Sequence, residues 1–535
     1  MRPLIQLGCL LLACAAACQA ARADFLIYYP GGKPGGGGGG GGGAPGRPGR
    51  GMMGGGVGAP GAPGMGPGMG GGAAPRKGRG KIVLQGKVTP GKTVIYEHPT
   101  LKDKLYFSLD DVKIIKAKGS RGEFQSQLSK AGKDPDEMMK AAVFALKKGL
   151  LRDFYETVER ILKSNPDHEA AKKVMDLKSK IDTPLPDNPE TEKKIRAVVK
   201  RKNMRIEKSK HYILLHDTPE KPIEGHSQNR AQERLALLEK VYESFLQLFS
   251  AQDIELNIPE ERLMVVLFNK EADYLEYATA ISPSLRSALG FWSPANNVAI
   301  FYDQGTGEDY AELNEILKSM ENDAEQAKKN AMKTGGGAAT ADLVRRTKTL
   351  KLLVAVDKEN ADIKTVSHEC THQMAGNTGL LPRHVDIPRW VHEGLATYFE
   401  APGEATWAGI GAVNELRLEW YKGLEPDRTH SNIKFIATDQ IFDFAKSHGA
   451  VVHGYGQAWA LTHFLMENHV EKFVEYYRML GEMPAATPLN PDLLNDLFVK
   501  VFGDNLKDLD GEWRTFMRSL QTDIERQAPE IAEES

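Results

Sequence analysis

The sequence predicts a mixed α+β fold, and three observations support this prediction. Short apolar runs bounded by turn residues, typical of strands, occur within the first 305 residues. Long segments with helical periodicity dominate the last third of the chain. The strands precede most of the helices and do not alternate with them along the chain. We therefore expect a small sheet packed on a central helix and a mostly helical C-terminal lobe, preceded by a small β module and a helical hairpin.

The first 23 residues have the features of an export signal. Arg2 supplies a positive charge, and residues 4–17 form an apolar run that is too short to span a membrane. Ala21 and Ala23 are small residues that fit a cleavage site before Asp24. Residues 11–14 also resemble a bacterial lipoprotein box, which would place a lipid on Cys14. We expect an exported protein, either periplasmic, at the cell surface or secreted, with membrane attachment only through that lipid.

The number of cysteines and the net charge restrict the class of protein further. Three of the four cysteines lie in the signal region, so Cys370 alone remains after processing and no internal disulfide is expected. The net charge of −2 gives no support for general nucleic-acid binding, and we expect none. The one basic run, residues 193–210, contains no aromatic residue that could stack on a base, and we interpret it as solvated surface.

Three segments precede the main domain. Residues 24–80 are dominated by glycine and proline and are predicted to be a disordered linker. Residues 81–118 contain about four short strand-like runs and are predicted to form a small β module. Residues 121–182 resemble one and a half tetratricopeptide-type repeats. A repeat array needs about three repeats for stability, so we expect a packed helical hairpin, with a protein-docking module as the alternative.

A single larger domain is predicted over residues 195–525. It contains three strand-like runs, at 211–217, 262–268 and 297–303, and an amphipathic helix at 229–250. Residues 321–345 are polar with three consecutive glycines, and we interpret them as a mobile inserted loop. Four helical segments follow the central motif, at 411–422, 455–480, 490–502 and 506–523.

The chemistry of the chain is concentrated in residues 365–400, which begin with an HExxH motif. The predicted helix over residues 363–375 places His368 and His372 one turn apart on one face, where both imidazoles can bind one zinc ion. Glu369 lies beside them, placed to deprotonate a water molecule. The opposite face carries Val366 and Cys370, so this cysteine is predicted to be a buried apolar residue and not a ligand.

A catalytic zinc site takes three protein ligands, so a third is expected from another helix. Pro388 suits the start of a helix that carries Glu393, the predicted third ligand. Gly394 and Ala396 keep the surface of this helix small, which would let the two helices approach closely around the ion. We therefore predict that Zn²⁺ is the cofactor.

The HExxH motif followed by a glutamate in a second helix resembles the gluzincin metallopeptidases. The fuller pattern, SHECTHQMAGNTGL with PRWVHEGLATYFE, is similar to an uncharacterised gluzincin-like domain-of-unknown-function family of exported planctomycete proteins. The resemblance covers roughly residues 205–525. It implies that His368, His372 and Glu393 are the ligands, that Glu369 is the general base, and that the strand at 297–303 is the edge strand beside the cleft.

The chain also departs from the gluzincin pattern. Many gluzincins carry a carboxylate four residues after the ligand glutamate, where it steadies a ligand histidine, but this chain has Thr397 there. The resemblance also implies a downstream oxyanion-stabilising residue, for which Tyr455 is the candidate and His453 a neighbour; core packing of Tyr455 is the alternative. We expect His392 on the surface, and His384 is a candidate for the edge of the cleft.

Two functions are compatible with these features. The first is an exported zinc metallopeptidase that acts on a peptide or protein substrate through a zinc-activated water and the Glu369 base. The second is a non-catalytic binding or assembly protein with a structural or vestigial metal site, whose helices at 121–182 would bind a protein partner. The site chemistry alone does not fix an amide bond as the substrate.

Overall fold

The computed structural model describes residues 24–29, 82–222, 227–334 and 337–529. Within these ranges the predicted α+β fold is confirmed: the chain forms two five-stranded sheets and a mostly helical C-terminal lobe. The predicted signal peptide, the lipidation candidate Cys14 and most of the predicted linker lie outside the described residues. Among the helices described, none has both the length and the apolarity needed to cross a membrane.

The N-terminal sheet includes a strand that the sequence analysis assigned to the linker. Its strands are β1 (Asp24–Tyr28), β2 (Ile82–Thr89), β3 (Thr93–Glu97), β4 (Lys104–Ser108) and β5 (Val112–Ile115), in the order β4-β3-β2-β1-β5. All five residues of β1 are buried, and it pairs antiparallel with both β2 and β5. The predicted linker was therefore wrong over residues 24–28. The apolar run FLIY buries both of its faces, whereas the glycine-rich composition begins only after it.

Four helices follow this sheet: α1 (Gly119–Ala131), α2 (Pro135–Lys147), α3 (Leu151–Ser164) and α4 (Glu169–Asp182). Their buried apolar residues belong to the same hydrophobic core as the long helix α6 (Arg230–Ser250) and the C-terminal lobe. A hydrogen bond of 2.7 Å from the Ile410 main-chain N–H to the Lys147 carbonyl also joins α2 to that lobe. These helices therefore form a packed layer of the main body, with four helices where the sequence predicted a hairpin of two. A partner bound through them stays a prediction.

The central sheet positions the site. After α5 (Pro189–Val198), it contains β6 (Arg205–Lys208), β7 (Tyr212–His216), β8 (Leu263–Phe268), β9 (Gly290–Ser293) and β10 (Val298–Tyr302), in the order β6-β7-β8-β10-β9. Strands β7, β8 and β10 are parallel, and the two edge strands are antiparallel. One face packs on α6 and the main core; α5 and α7 (Glu271–Ile281) cover the other.

The edge strand of this sheet differs from the predicted one. We expected the strand at 297–303 beside the cleft, but β9 occupies the edge and β10 lies inside the sheet. All five residues of β10 are buried, as expected of a strand with neighbours on both sides. A tight turn with Asn297 at φ 52° folds β9 back along it.

A long helical hairpin replaces the mobile loop predicted at 321–345. Helix α8 (Glu308–Thr334) runs antiparallel to α9 (Ala338–Asn377), which continues through the HExxH motif. The polar residues of this segment form ion pairs along and between the helices, such as Arg346 with Asp342 and Lys351 with Glu321. Leu352 of α9 is buried against the N-terminal sheet, and Arg345 pairs with Asp111 at 2.9 Å. The N-terminal β module is therefore docked on the helix that carries the motif.

The C-terminal lobe begins with the second motif helix, α10 (Arg389–Phe399), and a small hairpin of β11 (Pro402–Gly403) and β12 (Thr406–Trp407). Its remaining helices are α11 (Glu415–Leu424), α12 (Ile433–Ala437), α13 (Gln440–Ser447), α14 (Val451–Asn468), α15 (Val470–Gly481), α16 (Pro491–Phe502), α17 (Leu506–Ser519) and α18 (Asp523–Gln527). The helix predicted at 455–480 is two helices, separated at His469, whose φ of −140° is not helical.

Candidate metal centre

Helices α9 and α10 bring the motif residues together, and Gly394 sets how closely α10 packs against α14. Asp439 caps the N-terminus of α10, accepting hydrogen bonds from the main-chain N–H groups of Arg389 at 3.0 Å and Trp390 at 2.9 Å. A side-chain carbon on Gly394 would lie 2.1 Å from Thr462 Oγ1 and 2.9 Å from the Ala458 carbonyl oxygen of α14. The small residue therefore serves the contact of α10 with α14, whereas the sequence predicted a close approach between the two motif helices.

The rear face of the HExxH helix is buried in the main core. Val366, Cys370 and Met374 are each at most 1% exposed. The thiol of Cys370 lies 3.1 Å from the Tyr212 hydroxyl, and burial raises its pKa to about 12. The prediction that Cys370 is buried is confirmed.

The three predicted ligands converge on one point. The Nε2 atom of His368 lies 3.1 Å from Nε2 of His372 and 3.2 Å from Oε2 of Glu393. The distance from His372 Nε2 to the same carboxylate oxygen is 3.9 Å. One donor atom from each residue lies within 4.8 Å of the other two. No other group of three such donors meets this criterion in the described ranges.

This donor set fits a zinc ion. Zinc–nitrogen bonds of about 2.0–2.1 Å in a tetrahedron place neighbouring donors about 3.3 Å apart, close to the separations found. Burial and the neighbouring His392 hold the pKa of His372 well below its usual range, so this imidazole is in the neutral, metal-binding form. Burial disfavours a charge on His368, but hydrogen bonds with Glu393 and Glu400 outweigh it and raise the pKa of His368 to about 10. The two carboxylates therefore favour a positive charge on this imidazole.

A carboxylate that the sequence analysis did not identify orients His368. Glu400 lies at the end of α10, is fully buried, and its Oε2 is 2.8 Å from Nδ1 of His368. Arg417 contacts both oxygens of this carboxylate, at 2.7 and 3.0 Å, and Asn414 donates to it at 2.9 Å. Burial opposes its charge, but Arg417 and His368 hold the pKa of Glu400 well below its usual range.

Spacing along α10 explains why Glu400 takes this position. Thr397, four residues after Glu393, donates its hydroxyl to the main-chain carbonyls of Glu393 and Gly394 and contacts neither histidine. Glu400 is seven residues after Glu393, which is two helical turns and returns to the same face. Glu400 is therefore recognisable in the sequence as a carboxylate seven residues after Glu393, one helical turn beyond the usual spacing of four.

Glu369 has surroundings that suit a general base. It lines the cavity next to the ligands, is 7% exposed, and accepts a hydrogen bond from the main chain of Trp292 in β9. Burial, together with the nearby Glu393, raises its pKa to about 7 despite the opposing charge of His368. A carboxylate with such a pKa can accept and release a proton near neutral pH.

The ligands open into a cavity of 510 Å³ between β9, α9, α10 and α14. Tyr455 of α14 lines it, with its ring 5.4 Å from that of Phe442 and 5.1 Å from the guanidinium of Arg417. Burial, followed by the charge of Glu393, raises the pKa of Tyr455, so its hydroxyl remains a hydrogen-bond donor. His453 is directed elsewhere, with Nδ1 2.9 Å from the Trp420 carbonyl.

The two other histidines of the motif region have different positions. His392 was predicted on the surface, but it lines the cavity and stacks on His372 at 3.8 Å, with Trp292 of β9 beyond it. That prediction was wrong because β9 covers this side of α10, which helical spacing alone cannot reveal. His384 is exposed and lies in a shallow depression beside the cavity, shared with Arg383.

Comparisons with known proteins bear on the same stretch of chain. No curated protein and no solved structure matches the sequence. One protein-family model does match, and its range contains the three converging donors, Glu369, Glu400 and Tyr455. Residues 362–488 match the DUF1570 model, whose description is a protein of unknown function.

Proposed function

We propose that this protein is a zinc-dependent peptidase of the gluzincin type, exported from the cell. The observation that carries the proposal is the convergence of His368, His372 and Glu393 beside Glu369 in a cavity. Three protein donors leave one position of a tetrahedral ion free, as catalytic zinc sites require, whereas structural zinc sites use four.

The residues around the donors support hydrolysis. A bound zinc ion acts as a Lewis acid toward a carbonyl group and lowers the pKa of water. The Glu369 carboxylate would accept a proton from the attacking water and pass it to the leaving nitrogen. The Tyr455 hydroxyl would donate a hydrogen bond to the carbonyl oxygen as negative charge develops there. Glu400 would keep Nδ1 of His368 protonated, so that Nε2 faces the ion.

The non-catalytic alternative explains fewer of these features. A structural metal requires neither a buried carboxylate with a pKa of about 7 nor a cavity open to a ligand. The helices proposed as a docking module also bury their apolar faces against α6 of the same chain. We therefore favour the peptidase, with a peptide or protein as substrate.

Metal content and turnover of the full chain test the proposal together. Elemental mass spectrometry of protein expressed in zinc-replete medium without chelators is expected to find about one zinc per chain, lost in His368→Ala. The matched control, His384→Ala, changes an exposed histidine outside the cavity and should retain the metal. Glu369→Gln should keep zinc but no longer cleave a peptide library. Absence of zinc, or equal cleavage by Glu369→Gln, would overturn the proposal.

A further inference from the structure

The cavity contains a cationic side chain that forms no ion pair with any carboxylate of the described residues. Arg389 is the first residue of α10, lies one turn before Glu393, and lines the same cavity. Its main-chain N–H is bound by Asp439, but within the described ranges its guanidinium forms neither an ion pair nor a hydrogen bond. The other arginines of the cavity are engaged: Arg417 with Glu400 and Arg383 with the Pro294 carbonyl.

Aromatic packing places this guanidinium near the reacting atoms. Its central carbon lies 4.3 Å from the ring centre of Phe442. The same ring contacts that of Tyr455 edge-on, so Phe442 supports both the cation and the proposed oxyanion donor. The charge of Arg389 also acts on Glu393, on Tyr455 and on the capping carboxylate of Asp439, but its guanidinium donates a hydrogen bond to none of them. The guanidinium is therefore available to a group bound beside the metal donors.

The charge balance of the cavity favours an anionic ligand. Four cationic and four acidic side chains line it: Lys364, Arg383, Arg389 and Arg417 against Glu369, Asp386, Glu393 and Glu400. A divalent ion would therefore give the loaded cavity an excess of two positive charges. The potential within such a cleft attracts anions, and burial weakens its screening by solvent.

A carboxylate is the ligand that matches these features. A guanidinium presents parallel N–H donors that fit the two oxygens of a carboxylate, and partial burial against an aromatic ring strengthens that pair. Much of the remaining wall is apolar, including Leu285, Leu289, Phe291 and Ile387, so it suits an aliphatic or aromatic side chain. A peptide with a carboxylate close to an apolar residue meets both requirements.

We propose, on the basis of the proposed peptidase function, that Arg389 is a substrate-binding residue that selects peptides with a carboxylate next to the scissile bond. The carboxylate is either the free C-terminus of the peptide or an aspartate or glutamate side chain. Arg389 binds the substrate and takes no part in the proton transfers.

Matched peptides distinguish a C-terminal carboxylate from an aspartate or glutamate side chain. Steady-state kinetics of the full-length, zinc-loaded protein would compare each cleaved peptide with its C-terminal amide and with its Gln or Asn analogue. Arg389→Met should lower kcat/KM for carboxylate peptides about 10- to 100-fold, mainly through KM, and leave the neutral analogues unchanged. Arg389→Lys should give an intermediate loss, because it keeps the charge without the paired donors. Arg152→Met, which removes an exposed arginine of α3 outside the cavity, is the control and should behave as the wild type.

A binding measurement separates this inference from the proposed function. Calorimetry of Glu369→Gln with acetylated dipeptides, ending in either a carboxylate or an amide, requires no turnover. Tighter binding of the carboxylate form, lost in the Arg389→Met double variant, supports the inference even if no hydrolysis is found. Equal binding of both forms, or an equal kinetic loss on charged and neutral peptides in Arg389→Met, would overturn it. Zinc retained in every variant would show that the loss of carboxylate binding does not result from loss of the metal.

Discussion

The Nδ1 atom of His368 lies 2.8 Å from a carboxylate oxygen of Glu400, thirty-two residues further along the chain. This contact joins the two motif helices on the side away from the converging donor atoms. Arg417, on a third helix, pairs with the same carboxylate at 2.7 Å. The orientation of one candidate ligand is therefore set by three separate helices and not by the HExxH motif alone.

Removing the charge of Glu400 should weaken metal binding. In Glu400→Gln the side chain keeps its size but no longer holds His368 as a strong acceptor, and zinc affinity is expected to fall about 10- to 100-fold. Competition with a chromophoric chelator measures this change, on protein shown by circular dichroism to be folded. Thr397→Val is the control, because this hydroxyl bonds only to carbonyls of its own helix. Equal affinity of Glu400→Gln and wild type would contradict an orienting role.

Removing the Tyr455 hydroxyl should slow catalysis without loss of metal. Loss of one oxyanion donor commonly costs about 100- to 1000-fold in kcat, so Tyr455→Phe is expected to show a decrease of that order with unchanged zinc content. Tyr421→Phe changes a buried tyrosine of α11 that does not line the cavity, and it should retain full activity. A wild-type kcat in Tyr455→Phe would favour the core-packing role for this residue.

The close crossing of α10 and α14 makes Gly394 a sensitive position. A methyl group there would meet Thr462 and the main chain of α14, so Gly394→Ala should lower the free energy of unfolding by about 1–3 kcal/mol and displace Glu393. Urea denaturation and zinc content both report the change. Gly511→Ala is the matched control: it lies within α17 with no atom in reach, and should stabilise the protein by up to about 1 kcal/mol. Similar stability of the two variants would rule out tight packing at this crossing.

Acid sensitivity should arise in part from His463. This residue of α14 is 3% exposed, and burial lowers its pKa to about 4. Between pH 6.5 and 4 the unfolded chain binds a proton that the folded chain excludes. Stability should therefore fall as the pH decreases through this window, by at most about 3 kcal/mol.

The substitution His463→Phe removes this titration while keeping an aromatic ring beside Tyr398 and Trp459. Its free energy of unfolding, measured in urea, should decline less than that of the wild type between pH 7 and pH 5. Parallel pH profiles for the two proteins would show that His463 does not contribute.

Local patterns in the sequence predicted much of the site. The spacing of His368, Glu369 and His372 acts within a single helix, so helical periodicity alone indicates their shared face. The apolar residues opposite them, including Cys370, follow from the same periodicity. Glu393 and the small Gly394 were also recognisable, because a zinc site needs a third donor and close helix packing needs little side-chain volume. The structure brings all three predicted ligands together.

Two predictions were wrong because they rested on the local amino-acid composition, which does not show which distant residues contact each other. The polar segment at 321–345 resembled a loop, but it is helical, and Glu321 of α8 pairs with Lys351 of α9 across a helical hairpin. Residues 24–28 were predicted to belong to the glycine-rich tract that follows them, yet they form an interior strand of the N-terminal sheet. Its partners, β2 and β5, lie far along the chain. In both cases the stabilising contacts join residues that are far apart in the sequence, so the pattern of neighbouring residues cannot reveal them.

The sequence by itself determined the local elements and the functional residues that they carry. These are an HExxH helix, a second helix with a glutamate and small residues, and an α+β order of elements. Only the tertiary structure decided which strand borders the cavity, that His392 stacks inside it, that Glu400 orients His368, and that Arg389 forms no ion pair with a carboxylate of the described residues. Helical and strand periodicities are local properties of the backbone, so they can be read along the chain. The partner of a charged or aromatic side chain depends on which distant elements pack against it, and three-dimensional packing alone fixes that choice.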